Sequence, residues 1–262
     1  MINLLTRSGI VAGLIGGALV GPSLLKTVPA IALPEQEVLK QLGGVPVFTL
    51  TNAQGSPILA SNPQQKNGPQ IASFFLSQKE AQAVLGQIKT KNAALGKTAR
   101  VTPTSLGKAF EIARQNKGKK DVAFQFVPTQ QEVSAAETLL RAKNPKFKQF
   151  NDVPLFYAVD TKSKGLLSIS SKQNNARIIP LYSSKQDIQG IVDQLKQKKP
   201  QLAATTQIQV TSLSQVVASM LKENGPEIKQ LTLIPSPEAR AFLSTLQKTP
   251  NNQRPAVAPA KR

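Results

Sequence analysis

The chain has 262 residues, 40 % of them apolar, with 33 Lys and Arg against 14 Asp and Glu for a formal net charge of +19. It contains no Cys and no His, which excludes disulfides, thiolate catalysis, Cys-based metal sites and the commonest general base and metal ligand. A Ser-His-Asp triad cannot be assembled, and the charge favours acidic partners without choosing among nucleic acid, anionic lipid and acidic polypeptide.

In chain order, the first feature is an export signal. Met1–Ser8 carries Arg7, Gly9–Val20 is apolar and free of charge, and Ala30-Ile31-Ala32 is a small-x-small cleavage pattern. Residues 1–32 read as a signal peptide cut after Ala32, with Leu33 as the mature N-terminus. A membrane anchor is the alternative, but a spanning helix needs about 20 apolar residues and Gly21-Pro22 ends this run early. Loss of Arg7 and Lys26 leaves 31 basic and 14 acidic residues, so the positive charge belongs to the mature chain.

The remainder reads as one unit used twice. Val45-Pro46-Val47-Phe48 recurs as Val153-Pro154-Leu155-Phe156, and Phe126-Val127-Pro128-Thr129 as Leu233-Ile234-Pro235-Ser236, offset by 108 and 107 residues. Two matches between them, Phe74–Glu80 with Leu181–Asp187 and Val101–Leu106 with Ile208–Leu213, share the 107 offset. Within the first copy, Val45–Thr51 is a strand, Asn52–Gly55 a turn, Pro57–Ser61 the returning strand and Ile71–Leu76 a third. Asn62–Pro69 is a polar loop. Ser77 then opens a helix with Glu80 three residues on, the spacing at which each side chain caps the other's backbone N–H; Ser184 and Asp187 hold those places in the second copy. Ala81, Val84, Leu85 and Ile88 form one helical face, repeated by Ile188, Ile191, Val192 and Leu195. Ser105–Arg114 and Ser212–Lys222 are second helices. Thr129 with Glu132 caps a third that runs to about Lys143, and Pro237 begins its counterpart.

The expected fold class is therefore α/β (α+β): two pseudo-symmetric repeats of β-β-β-α-β-α-β-α, forming mixed sheets covered by helices. The divisions are 1–32 signal peptide, 33–150 first repeat, 151–247 second repeat and 248–262 disordered tail, with the basic link Asn144–Asn151 between the repeats.

Candidate chemistry is sparse. Ser105-Leu106-Gly107-Lys108 fits the S-x-x-K spacing of penicillin-binding enzymes, but no S-D-N or K-T-G accompanies it and the repeat has Gln215 for Lys108. Ser105 is better read as a helix N-cap. Asp152 and Asp160 flank one strand, and Asp187 and Asp193 share a helix, without metal-loop spacing. The lysine runs Lys117–Lys120, Lys143–Lys148 and Lys196–Lys199 fall at helix ends, where cations are favourable by about 0.3–1 kcal/mol each. No catalytic, cofactor or metal residue is identified, and the partner-binding residues are not assigned.

The segments V-P-V-F-T-L-T-N-A-Q-G-S-P at Val45–Pro57, F-L-S-Q-K-E-A-Q-A-V-L at Phe75–Leu85 and N-D-V-P-L-F at Asn151–Phe156 resemble the Tic22-like family over about Gln36 to Gln247. The resemblance implies a soluble, non-enzymatic protein-transport factor on the far side of a membrane. In plastids this is the intermembrane space; in cyanobacteria it is the periplasm or thylakoid lumen, with a chaperone-like part in outer-membrane biogenesis. Implied partners are unfolded precursor or outer-membrane proteins and translocon or assembly components, with no cofactor. A structural envelope protein holding anionic lipid or polysaccharide by charge is the alternative. Export argues against nucleic acid.

Overall fold

The computed structural model describes residues 33–61, 68–171, 175–223 and 225–248. Ala30, Ala32, the loop residues 62–67 and the tail from 249 onward lie outside the described residues.

The first half runs α1 (Glu35–Gly43), β1 (Pro46–Thr51), β2 (Leu59–Ala60), β3 (Gln70–Phe75), α2 (Gln78–Lys91), α3 (Ala93–Thr98), β4 (Arg100–Ser105), α4 (Leu106–Gln115), β5 (Val122–Val127) and α5 (Gln130–Lys143). The second runs β6 (Pro154–Asp160), β7 (Ile169–Ser170), β8 (Arg177–Tyr182), α6 (Lys185–Lys198), α7 (Pro200–Thr205), β9 (Thr206–Ser212), α8 (Leu213–Lys222), a 3-10 turn (Ile228–Gln230), β10 (Leu231–Ile234) and α9 (Pro237–Lys248). The eight expected elements of each repeat are present in the expected order. Helices α1, α3 and α7 are additions that the sequence pattern does not announce.

Each half builds a five-stranded mixed sheet of one topology. In the first, β1 lies between β3 and β4, antiparallel to both, and β5 runs parallel to β3 on its far edge. In the second, β6, β8, β9 and β10 take those places. Even the register is repeated: Phe48 opposes Phe75 and Pro46 opposes Ser105, as Phe156 opposes Tyr182 and Pro154 opposes Ser212. A slip of one residue would send every side chain to the wrong face.

Alternation along the central strands explains this fixity, because both faces are covered. All six residues of β1 are buried. Val47 points into a core shared by the two halves, whereas Phe48 and Leu50 point to the opposite face. On β6, Leu155 and Tyr157 enter the shared core, and Phe156 and Ala158 face away. The shared core is filled by both sheets and by α1, α4 and α8, with Val38, Leu42, Leu106, Val216 and Met220 at 0–1 % exposure. Full burial of such a side chain stabilises by about 1.5–3 kcal/mol.

The outer faces are covered by an exchange. Sheet one carries α2 of its own half, through Ala81 and Leu85, and Phe242 from α9 of the other half. The Phe242 ring meets Phe48 edge-on, with centroids 5.0 Å apart. Sheet two carries α6 of its own half and α5 of the first half, through Ile188 and Ala136. Thus the last helix of each repeat packs on the other repeat's sheet, and neither repeat fully covers its own strands.

This packing sets measurable costs. A Cβ on Gly107 would lie 2.3 Å from the Leu39 carbonyl oxygen, where α4 crosses α1, whereas nothing stands within 4 Å of one on Gly86. Gly107→Ala should therefore cost about 1–3 kcal/mol in urea unfolding, while Gly86→Ala should stabilise by about 0.5–1 kcal/mol. Phe242→Ala removes the ring that covers Phe48 and should cost about 2–3 kcal/mol in the same measurement.

Candidate functional site: a helix junction and an adjoining groove

Four helices begin at the seam between the halves, and each needs partners for its first backbone N–H groups. Local caps supply part of this. Ser77 Oγ accepts from Glu80 N at 3.3 Å, Thr129 Oγ1 from Glu132 N at 3.3 Å and Ser236 Oγ from Ala239 N at 3.3 Å. The carboxylates do something the spacing did not predict: they reach to the next helix rather than back to their own. Glu80 accepts from Gln130 N at the start of α5, at 3.2 Å. Glu132 accepts from Lys185 N at the start of α6, at 2.8 Å. Asp187 on α6 takes two hydrogen bonds from Arg240 on α9, at 2.6 and 3.2 Å. Glu238 on α9 accepts from Lys79 N at 2.9 Å and from the Ser77 hydroxyl at 2.8 Å, both at the start of α2.

The four links form a closed ring, α2 to α5 to α6 to α9 and back to α2. Both expected capping boxes are corrected by it. Glu80 serves α5 instead of Ser77, and the Ser184 side chain makes no cap within α6 but bonds Glu132. An acidic side chain at each helix start also complements the helix dipole, worth about 0.3–1 kcal/mol apiece at exposed positions. Burial raises the Glu80 and Glu132 carboxyls above their ordinary value of 4.5, against the opposing pull of the backbone N–H groups they accept.

Inside the ring lies a cavity of about 480 Å³, lined by Leu76, Ser77, Glu80, Pro128, Glu132, Pro154, Ser184, Ser236 and Glu238 among others. Its carboxylates are spent on helix ends. Beside it, between α5, α6 and α9 and the edge of sheet two, runs an open groove of about 1520 Å³. Ala135, Ile169, Ile178, Tyr182, Ile191 and Ile234 supply its apolar surface, and Glu132, Asp187, Asp193, Lys185 and Arg240 its charged rim. Small-molecule sites are typically about 300–1,000 Å³, so the groove is of a size for a stretch of polypeptide.

The other candidates drawn from the sequence are dispersed. Ser105 is the N-cap of α4, accepting from Lys108 N at 3.1 Å, and Lys108 Nζ pairs with Glu111 at 2.8 Å instead of facing the hydroxyl. Asp152 bonds the Ser214 hydroxyl, and Asp160 closes a turn on Lys162 and Ser163. Asp193 pairs with Lys196 at 2.8 Å. Among the described residues no three Asp or Glu side chains come together as a metal site. Leu33 is a buried member of the shared core.

A search of family models matches residues 15–245 to the Tic22-like family. The chain belongs to that family. It is 26 % identical over 213 residues to protein TIC 22, chloroplastic, of Pisum sativum, covering 80 % of this chain and 77 % of that one. The Arabidopsis thaliana protein of the same name is 27 % identical over 208 residues, covering 79 % and 70 %. Among solved structures, Anabaena Tic22, described as a protein-transport protein, superposes with a TM-score of 0.72 at 32 % identity, covering 83 % of this chain and all of that one. Tic22 from Plasmodium falciparum shares the fold, with a TM-score of 0.61 at 20 % identity over 80 % of this chain and 98 % of that one. Among the described residues no helix is long and apolar enough to cross a membrane.

The groove escaped sequence reading because its walls come from three helices and a sheet edge distant in the chain. The inter-helix ring left one trace: acidic residues at the starts of four helices, in excess of what local capping requires.

Raised carboxyl pKa values fix the sign of a pH effect. The folded protein binds a proton at Glu80 and Glu132 more readily than the unfolded chain does, so their contribution is fully present below about pH 4.5 and is lost as pH rises through the raised values. Glu132→Gln keeps the acceptor without the charge. Its melting temperature should match the parent's below pH 4.5 and exceed it increasingly at higher pH; an advantage confined to low pH would contradict the assignment.

Proposed function

We propose that this protein is an exported protein-transport factor that binds unfolded precursor or outer-membrane polypeptides in a chaperone-like way, without catalysis. The observation that carries the proposal is the open groove. It is sized for a polypeptide segment and floored by Ile169, Ile178, Ile191 and Ile234, and among the described residues no nucleophile–base pair or metal cluster converges within it. Apolar surface left uncovered by the exchanged helices is the kind that marks interaction sites. Membership of the family, together with the Anabaena relative's description as a protein of protein transport, supports the same reading.

On this proposal residues 1–32 are the export signal, and the protein works in the periplasm or thylakoid lumen of a cyanobacterium, or in the intermembrane space if plastid-derived. Residues 33–150 and 151–247 are its two repeats, joined by the exchanged helices into one working body. The mature chain's surplus of 31 basic over 14 acidic residues, a net +17, speeds encounter with acidic clients. Translocon or outer-membrane assembly components are its expected further partners.

The test is aggregation of a urea-unfolded porin diluted into buffer with and without the protein. Suppression should survive about 0.5 M salt and fall several-fold in an Ile178→Asp, Ile191→Asp double variant, since apolar contact is unscreened. Absence of suppression by the parent protein would remove the chaperone reading. Binding to anionic vesicles that vanishes at the same salt would favour the charge-based envelope role instead.

A further inference from the structure

Helices α4 and α8, and strands β5 and β10, hold matching places in the two halves, so their side chains compare one by one. In the second half Val217, Leu231 and Leu233 are 3 %, 1 % and 9 % exposed. Their counterparts Phe110, Phe124 and Phe126 carry larger side chains yet are only half-buried.

The cause is an asymmetry of cover. Helix α1 packs against α4 of the first half and also covers α8 and β10 of the second, and the 3-10 turn sets Ile228, 1 % exposed, against α8 and β8. Among the described residues neither has a counterpart on the first side. At the place matching α1 the chain is the link after α5, drawn onto α5 instead: Arg141 donates to the Lys148 carbonyl at 3.0 Å, and Phe150 N donates to Glu137 at 3.1 Å. At the place matching Ile228 stands Asp121. Phe124 and Phe126 are nevertheless held in position, stacked on Phe74 with centroids 6.4 and 5.7 Å away. Beside them the turn into β5 presents Lys117, Lys119 and Lys120, all exposed, against the single carboxylate of Asp121.

We infer that Phe110, Phe124 and Phe126 form a docking surface for a short amphipathic helix of a partner polypeptide, one with acidic residues beside its apolar stripe. The molecule supplies the template. Helix α1 lies between the halves with Val38 and Leu42 buried and with Glu35 and Glu37 in its first turn, Glu35 pairing with Arg114 of α4. The lysine turn gives an incoming acidic helix the same complement on the first side. This inference rests on the reading that the protein binds other polypeptides and names a second, distinct surface for doing so.

The experiment uses the full mature chain and a fluorescein-labelled peptide of about 14 residues, with leucines at helical spacing and glutamates on the opposite face, followed by anisotropy. Saturable binding is expected. It should weaken about tenfold in Phe110→Ser, Phe126→Ser and lose most of its salt dependence in Lys117→Gln, Lys119→Gln, Lys120→Gln, which leaves the core untouched. Phe124→Leu, Phe126→Leu, which installs the residues β10 carries, serves as a second variant that should fold and still bind less tightly. Undiminished binding in the phenylalanine variants overturns the surface. A parent protein that suppresses porin aggregation but shows no saturable peptide binding overturns this inference and leaves the groove reading standing. Peptide binding without aggregation suppression does the reverse.

Discussion

The structure depends on one exchange: α5 of the first repeat lies on the second sheet, and α9 of the second lies on the first. Each sheet has a central strand whose residues alternate between two faces, and both faces are apolar. A single repeat supplies helices for part of that surface only. Phe48 is closed off by Phe242, and Phe156 by the α5 and α6 cluster, so each half completes the other's core. Long-range burial of this kind, more than any local propensity, is what makes the two repeats one folding body.

The junction where the exchanged helices start shows how polar groups are managed at such a seam. Four helix N-termini brought together leave many N–H donors without water. Glu80, Glu132 and Glu238 accept from N–H groups at the starts of α5, α6 and α2, and the Asp187–Arg240 ion pair closes a ring that passes through both halves. The acids are thereby committed to structure. The raised pKa values of Glu80 and Glu132 reflect burial at a helix seam, which is a different cause from the tuning of a catalytic acid. What the exchange leaves uncovered is a groove beside the ring, and three half-buried phenylalanines on α4 and β5.

The two halves share one topology, but helix α1 breaks their equality. Gly107 lets α1 approach α4 to backbone contact, and its counterpart Ser214 is occupied with Asp152 instead. From there α1 also lies on α8 and β10, so β10 is sealed and its twin β5 is left half open. One repeated unit in this way presents two chemically different surfaces, an aromatic patch beside lysines and a mixed aliphatic groove with a charged rim.

Much of this was legible in the sequence. The repeat offset shows by direct comparison of segments, and the order of strands and helices, the N-caps at Ser77, Ser105 and Thr129, and the apolar stripe of α2 follow from local spacing, because each depends on residues within about four positions of one another. The absence of Cys and His, and the family motifs, bounded the chemistry before any coordinates. Helix α1 was missed because its stripe is only Val38 and Leu42, too short to register as periodic. Which helix covers which sheet, where Glu80 and Asp187 send their carboxylates, and which of two equivalent apolar faces stays open were decided by the tertiary structure alone. Those outcomes turn on contacts between residues 50 or more positions apart, and no local pattern encodes which of several apolar or acidic groups will meet across such a distance.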